Sequence, residues 1–446
     1  MPGILQYATA PLLGVVYFLA IIILFRRSIL REHPDLYRLF KYGLFLKLIS
    51  SFLVEIVYIH YYGYGDTLVY YREATFFINQ LIEQPQDFIH LFNLTPEEYK
   101  IVFADIIKEN SLMAYYNEST VRMIKISAFM SLFSFNSLFG IGMLYGSLCY
   151  IGLWYFFRVI AYHLKSINLK YLFAAIVFLP SVMFWGSGLL KEPIAIFLLC
   201  LIVYHLHKLV IRRKFNFVSI LAVVLLVGLL AKLKSFYLIA LYPSFILFVF
   251  FHYVNSIHSN LFRRSIKLLS LAFATLILLA LPVILVTTGL DEKIMGSTIE
   301  YIISHNENLS SNSGSGYSLE LSSPSLTSLV GAAPEAIVVT LFRPFLWEST
   351  KVVILISAIE SFFITILTLI FIFKVGILTI LRNFLKHPIF QFLFFFTIAF
   401  AIIVGVSSGN FGALVRYKIP CLPFYMAFVV GSILLKNARI EKKTSL

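Results

Sequence analysis

The sequence predicts an all-α fold, a polytopic membrane helix bundle, and three observations carry that prediction. The chain of 446 residues is 60% hydrophobic and 17% aromatic but only 13% charged, about half the charged share of an ordinary soluble protein. Its mean hydropathy is +0.88. Apolar runs approaching the ~20 residues that a helix needs to cross hydrocarbon recur along the whole chain, and 45 Phe with 26 Tyr exceed what a water-soluble core could hide.

Setting the apolar runs against their charged breaks gives about eleven spans in a single membrane domain over 1–446: 8–25, 42–62, 136–160, 171–187, 190–208, 216–232, 236–252, 267–288, 350–373, 388–406 and 419–435. The first run lacks the basic segment and small-residue cleavage site of a secretory signal, so it reads as a retained span. Between the spans, one set of loops is basic: Arg26 to Lys41, Arg158 to Lys170, Lys208 to Lys214, Arg263 to Lys267, Lys374 to Lys386, and the tail from Lys436 to Lys443. By the positive-inside rule these loops face the cytoplasm, with the N-terminus outside and the C-terminus inside, in an arrangement expected of a bacterial cytoplasmic (inner) membrane. The same placement accounts for the net charge of +14 through membrane lipids and excludes nucleic acid as a partner.

The opposite side carries two long segments, 63–125 and 289–349. In the first, Phe88-Ile89-His90-Leu91-Phe92 and Tyr99-Lys100-Ile101-Val102-Phe103 have spacings suited to amphipathic helices lying at the interface. In the second, Ser310 to Gly316 is a Ser/Gly/Asn run that reads as flexible, either a flap or a plain linker. Cys149, Cys200 and Cys421 lie inside or beside spans without metal-ligand spacing, so neither a disulfide framework nor a structural zinc site follows. His205 and His207 make poor metal ligands, and the sequons at Asn93, Asn117 and Asn308 are short enough to arise by chance.

Unusual polar residues gather on the outer side. Asp66 follows Tyr64-Gly65 and precedes Tyr70-Tyr71; a carboxylate beside glycines that admit a ligand and tyrosines that could stack on a sugar suits a general base, and equally suits a helix cap. Trp185-Gly186-Ser187-Gly188 leads to Lys191-Glu192-Pro193, where a Lys opposes the dipole of the helix it starts and calls either for pairing with Glu192 or for an anionic ligand. Arg343-Pro344-Phe345-Leu346-Trp347-Glu348 sets an Arg and a Glu among aromatics, and a guanidinium there suits phosphate oxygens. Asn410 to Pro420 places Arg416 and Lys418 on the outer side against the charge trend, for phosphate or for snorkelling to headgroups. Within spans, Lys47, Ser51 and Glu55 share one helix face, and Ser357, Glu360 and Ser361 cluster on another, as a proton relay or a buried inter-helix contact.

Tyr64-Gly65-Asp66 with Tyr70 and Tyr71 at the start of a long outer loop, and Arg416-Tyr417-Lys418-Ile419-Pro420 before the last span, resemble the GT-C-type glycosyltransferases, which take a sugar from a polyprenyl-(pyro)phosphate carrier on the outer leaflet. Trp185 to Glu192 and Arg343 to Glu348 are similar to stretches in bacterial membrane proteins of surface-polysaccharide assembly. The resemblance implies a transferase that moves a sugar from the polyprenyl-linked donor to a glycan or lipid acceptor. Its catalytic residues would be Asp66 and Glu192; Lys191, Arg343, Arg416 and Lys418 would hold the phosphate, and Tyr64, Tyr70, Tyr71, Trp185, Glu348 and Asn410 would contact the sugar. Here the acid follows the second span rather than the first. No Asp-x-Asp pair accompanies Asp66, so no cofactor is called for and only a divalent cation stays open. A repeat-unit polymerase, or a transporter or flippase using Glu55 and Glu360, are the alternatives.

Overall fold

The computed structural model describes residues 4–87, 118–255, 331–349 and 351–444, with scattered positions at 93–101 and 257–269. Among the described residues the secondary structure is helical: α1 (Ile4–Glu32), α2 (Tyr37–Ile56, continued by a π-helical turn Val57–Tyr62), α3 (Asp66–Glu83), α4 (Glu118–Phe133), α5 (Leu138–His163), α6 (Leu169–Val177), α7 (Pro180–Trp185), α8 (Lys191–Leu206, with a π-helical turn His207–Ile211), α9 (Phe217–Lys234), α10 (Phe236–Val254), α11 (Ala333–Phe342), α12 (Val352–Val375), α13 (Ile377–Lys386), α14 (Pro388–Ser407), α15 (Phe411–Tyr417) and α16 (Leu422–Thr444). Eight of these helices are long and apolar enough to cross a membrane, or nine if α15 and α16, bent by 62° at their break, form one crossing. The chain is thus a polytopic helical membrane protein.

One expected span is not a single helix. The run 171–187 is broken into α6 and α7, because Pro180 has no N–H for the ladder and pushes Leu179 out of helical geometry. Hydropathy does not register that backbone defect. The expected span 267–288, most of the segment 289–349 with Ser310 to Gly316, and the amphipathic stretch from Phe88 to Phe103 fall wholly or largely outside the described residues. Within the segment 63–125, α3 is amphipathic: Thr67, Tyr70, Glu73, Ala74, Phe77 and Ile78 are its buried face, at helical spacing.

Residues 1–155, 183–202 and 222–235 form one compact unit, and 156–182, 203–221 and 236–446 a second. In the first, small residues set the packing. A Cβ on Gly152 would lie 2.8 Å from the Cα of Phe197, and one on Gly146 2.3 Å from Ser51 Oγ, so α5 lies close to both α8 and the polar face of α2, as glycine-lined membrane interfaces do. Leu138 N–H at the start of α5 donates to Gln6 Oε1 (3.3 Å) near the start of α1. Tyr71 Oη of α3 donates to the Asn136 carbonyl (3.0 Å) and accepts from Gln6 Nε2 (2.5 Å). The starts of α1, α3 and α5 and the end of α2 therefore share one end of this unit. In the second unit α14 is largely buried; its Phe396 stacks on Phe424 at 3.9 Å, and Gly405 and Thr340 bring it against α11.

Candidate functional site

Asp66 owes its position to two glycines. Gly63 (φ 68°) and Gly65 (φ 116°) occupy left-handed backbone that a Cβ would strain, and they turn the chain from the end of α2 into α3. Gly65 is the N-cap residue and Asp66 the first residue of the helix, where a carboxylate meets the positive end of the helix dipole. Asp66 and Tyr64 are exposed and Tyr70 is buried. Tyr71 is committed to the ties with Asn136 and Gln6.

Lys191, the first residue of α8, donates to Ser119 Oγ (2.7 Å) and Thr120 Oγ1 (3.3 Å) in the first turn of α4 and lies 6.0 Å from the Tyr70 ring centroid. Glu192, expected as partner for Lys191, is held by Lys234 at the end of α9, with Nζ to Oε1 2.7 Å and side chains 9% and 4% exposed respectively. Arg122 of α4 pairs with Glu118 one turn earlier and donates to the Lys232 carbonyl (2.8 Å). Lys125 Nζ donates to the Leu94 carbonyl (2.9 Å); burial, and then the charge of Arg122, lower its pKa below the usual lysine range. Trp185 is buried, its ring edge-on to Phe184. Asp66, Tyr64, Tyr70, Tyr71, Trp185, Lys191 and Glu192 thus all belong to the first unit, and the starts of α3, α4 and α8 and the end of α9 carry its polar groups.

The other candidates belong to the second unit. Arg343 Nε faces both carboxylate oxygens of Glu348 (2.9 and 3.1 Å), whose Oε2 also accepts from Phe345 N–H (2.7 Å). The guanidinium lies 5.1 Å from the Phe411 ring centroid. Lys418 is fully buried and donates to the Arg343 carbonyl and to Ser361 Oγ, each at 2.8 Å, so it does not snorkel. Asn410 is the N-cap of α15, its Oδ1 accepting from Ala413 N–H (2.7 Å). Arg416 is half-buried, with its guanidinium 5.9 Å from the Tyr417 ring centroid. In this unit the sugar-contacting roles expected of Glu348 and Asn410 compete with a bidentate ion pair and a helix cap. The phosphate-binding roles of Arg343 and Lys418 compete with the same pair and with a carbonyl tie.

The carboxylates within spans are anchors of backbone. Glu55 Oε1 accepts from Leu189 N–H (2.8 Å), and its Oε2 has no hydrogen-bond partner among the described residues. Glu360 accepts from Ser181 N–H (3.0 Å) and from Ser181 Oγ. Lys47, Ser51 and Glu55 are all wholly buried, and Lys47 hydrogen-bonds Cys149. The shared faces expected of 47/51/55 and of 357/360/361 are therefore both buried.

Sequence reasoning passed over Ser119, Thr120 and Arg122 as site residues. The Glu118/Arg122 spacing of four is a helix signature that could have marked the start of α4; the pairing of Glu192 with Lys234 spans 42 residues and has no local signal. Among the described residues no group of three or more His, Cys, Asp or Glu side chains is arranged to hold a metal, and His207 meets His163 (3.0 Å between Nε2 atoms). Compared with known proteins, the chain matches no family model, no curated protein and no solved structure.

Proposed function

We propose that the protein is a membrane glycosyltransferase that moves a sugar from a polyprenyl-(pyro)phosphate carrier to a glycan or lipid acceptor at the extracytoplasmic face. The observation that carries this reading is the placement of Asp66: an exposed carboxylate on a glycine turn at the start of α3, in the same unit as the cation Lys191 and its hydroxyl partners Ser119 and Thr120. Asp66 takes the proton of the acceptor hydroxyl as that oxygen bonds to the anomeric carbon, and the bond from that carbon to the lipid phosphate breaks. Lys191 stabilises the charge on the departing phosphate. Glu192 is then a support, its carboxylate held by Lys234. On this reading, and by the positive-inside rule, this end of the first unit is extracytoplasmic.

A second reading, a transporter in which Glu55 titrates, is favoured by one observation, the buried Oε2 with no partner among the described residues. Replacement of Asp66 separates the two. In purified protein supplied with a polyprenyl-phosphate sugar, Asp66→Asn abolishes transfer while donor binding and membrane insertion persist. Retained transfer removes Asp66 from the role of base.

A further inference from the structure

The segment between the short helix α7 and the membrane-spanning α8 is non-helical backbone, and in apolar surroundings such backbone persists only where protein groups satisfy its N–H and C=O. At Leu189 both are satisfied by side chains distant in sequence. The N–H donates to Glu55 Oε1 (2.8 Å), and the carbonyl accepts from Thr67 Oγ1 (3.1 Å). Glu55, Thr67 and Leu189 are each wholly buried.

The surroundings are shaped to bring these groups together. A Cβ on Gly188 would stand 2.3 Å from Val54 Cγ1, and one on Gly142 2.3 Å from Glu55 Oε1. Glycine at both positions lets the 186–190 hairpin and α5 close on the Glu55 carboxyl. A carboxyl in hydrocarbon is costly, and an apolar side chain of the same size would pack there without that cost. What an apolar side chain could not do is accept the Leu189 N–H.

We infer that Glu55 is a positioning residue of the proposed transferase: it fixes Leu189, and the Leu189 carbonyl in turn fixes Thr67, the residue after Asp66. The same anchor ends the hairpin two residues before Lys191. The inference rests on the reading of Asp66 as the base, but its mechanical part stands apart from it. Glu55 works here as a hydrogen-bond acceptor and carries no proton through the reaction.

The test uses the full-length protein in lipid nanodiscs, with Glu55→Gln, Glu55→Leu and Thr67→Val. Hydrogen exchange of the peptide covering residues 186–190 reads the anchor directly, and transfer from a polyprenyl-phosphate sugar reads the consequence. Glu55→Leu should speed exchange at Leu189 by about tenfold or more, the ratio that loss of one buried hydrogen bond sets, and lower kcat with the donor KM kept. Glu55→Gln, which retains the accepting oxygen, should restore both. Thr67→Val should also speed exchange, and it decides the matter if Glu55→Leu fails to fold. Unchanged exchange in both Glu55→Leu and Thr67→Val overturns the anchor. Loss of transfer in Glu55→Gln as complete as in Glu55→Leu overturns the acceptor role and points to a titrating group. Should exchange respond as described while Asp66→Asn retains transfer, the base reading falls and the anchor stands.

Discussion

Glu192 is either a reacting group or a structural support, and its partner Lys234 makes the distinction measurable. The two charges are 2.7 Å apart with side chains only 4% and 9% exposed, so removing one leaves the other buried without its counter-charge. Breaking a buried pair in this way costs ~3–5 kcal/mol, a hundredfold or more in the folding constant by the roughly 1.4 kcal/mol that each factor of ten represents. Removing both restores most of that loss, because the desolvation penalty leaves with the charges. Glu192→Gln and Lys234→Met should therefore each destabilise by about 3 kcal/mol or more, and the double variant should return to within ~1 kcal/mol of the parent. Denaturant unfolding in detergent micelles measures the cycle. Transfer activity is measured on the same four proteins, and the double variant should retain it, since the support is no longer needed once the charge it neutralised is gone. A double variant that is stable yet inactive would refute this argument and return Glu192 to the chemistry. Additive single effects would refute the coupling itself.

Two further predictions follow. Gly405→Ala would put a Cβ 2.4 Å from the Ala336 carbonyl oxygen and 2.6 Å from its Cα. Backbone cannot swing aside, so α11 and α14 must part at a cost of ~1–3 kcal/mol, whereas Gly228→Ala, with nothing within 4 Å, should stabilise α9 by ~0.5–1 kcal/mol; comparing the two unfolding curves tests the pair. His387, just before α14, is held by burial, and then by the charges of Arg439 and Lys386, at a pKa of about 4 against an ordinary 6.5. Its folded pKa is depressed, so the stability it contributes is present above pH 6.5 and is lost as pH falls from 6.5 towards 4. Thermal unfolding across that range should be flatter in His387→Gln than in the parent, and identical slopes would dismiss the histidine.

The polytopic helical character was legible because hydrocarbon dictates composition over about twenty residues at a time, and the faces Lys47/Ser51/Glu55 and Ser357/Glu360/Ser361 were legible because helical spacing is a local property. What escaped was either a defect in the backbone or a contact between distant residues. Pro180 splits 171–187 although the run is predominantly apolar. Lys418 reads in sequence as a cation set against the charge trend, and so as a phosphate ligand or a side chain snorkelling to headgroups. Folded, its ammonium ties the carbonyl of Arg343, 75 residues away.

The same contrast bears on which candidates can act on a substrate. A cation already engaged by a carboxylate or a carbonyl must give up that contact before it can bind phosphate, and inside a membrane protein water does not replace it. Arg343 and Lys418 face that cost in the second unit. Lys191 donates to the neutral hydroxyls of Ser119 and Thr120, which can themselves turn to an anion as donors. Asp66 is exposed at the positive end of α3. The carboxylates also divide by exposure: Glu55, Glu360 and Glu192 are buried and Glu348 half-buried, each accepting from a protein donor, whereas Asp66 is exposed. On the proposed reading, an exposed base and a cation held by hydroxyls are the pair on which transfer depends.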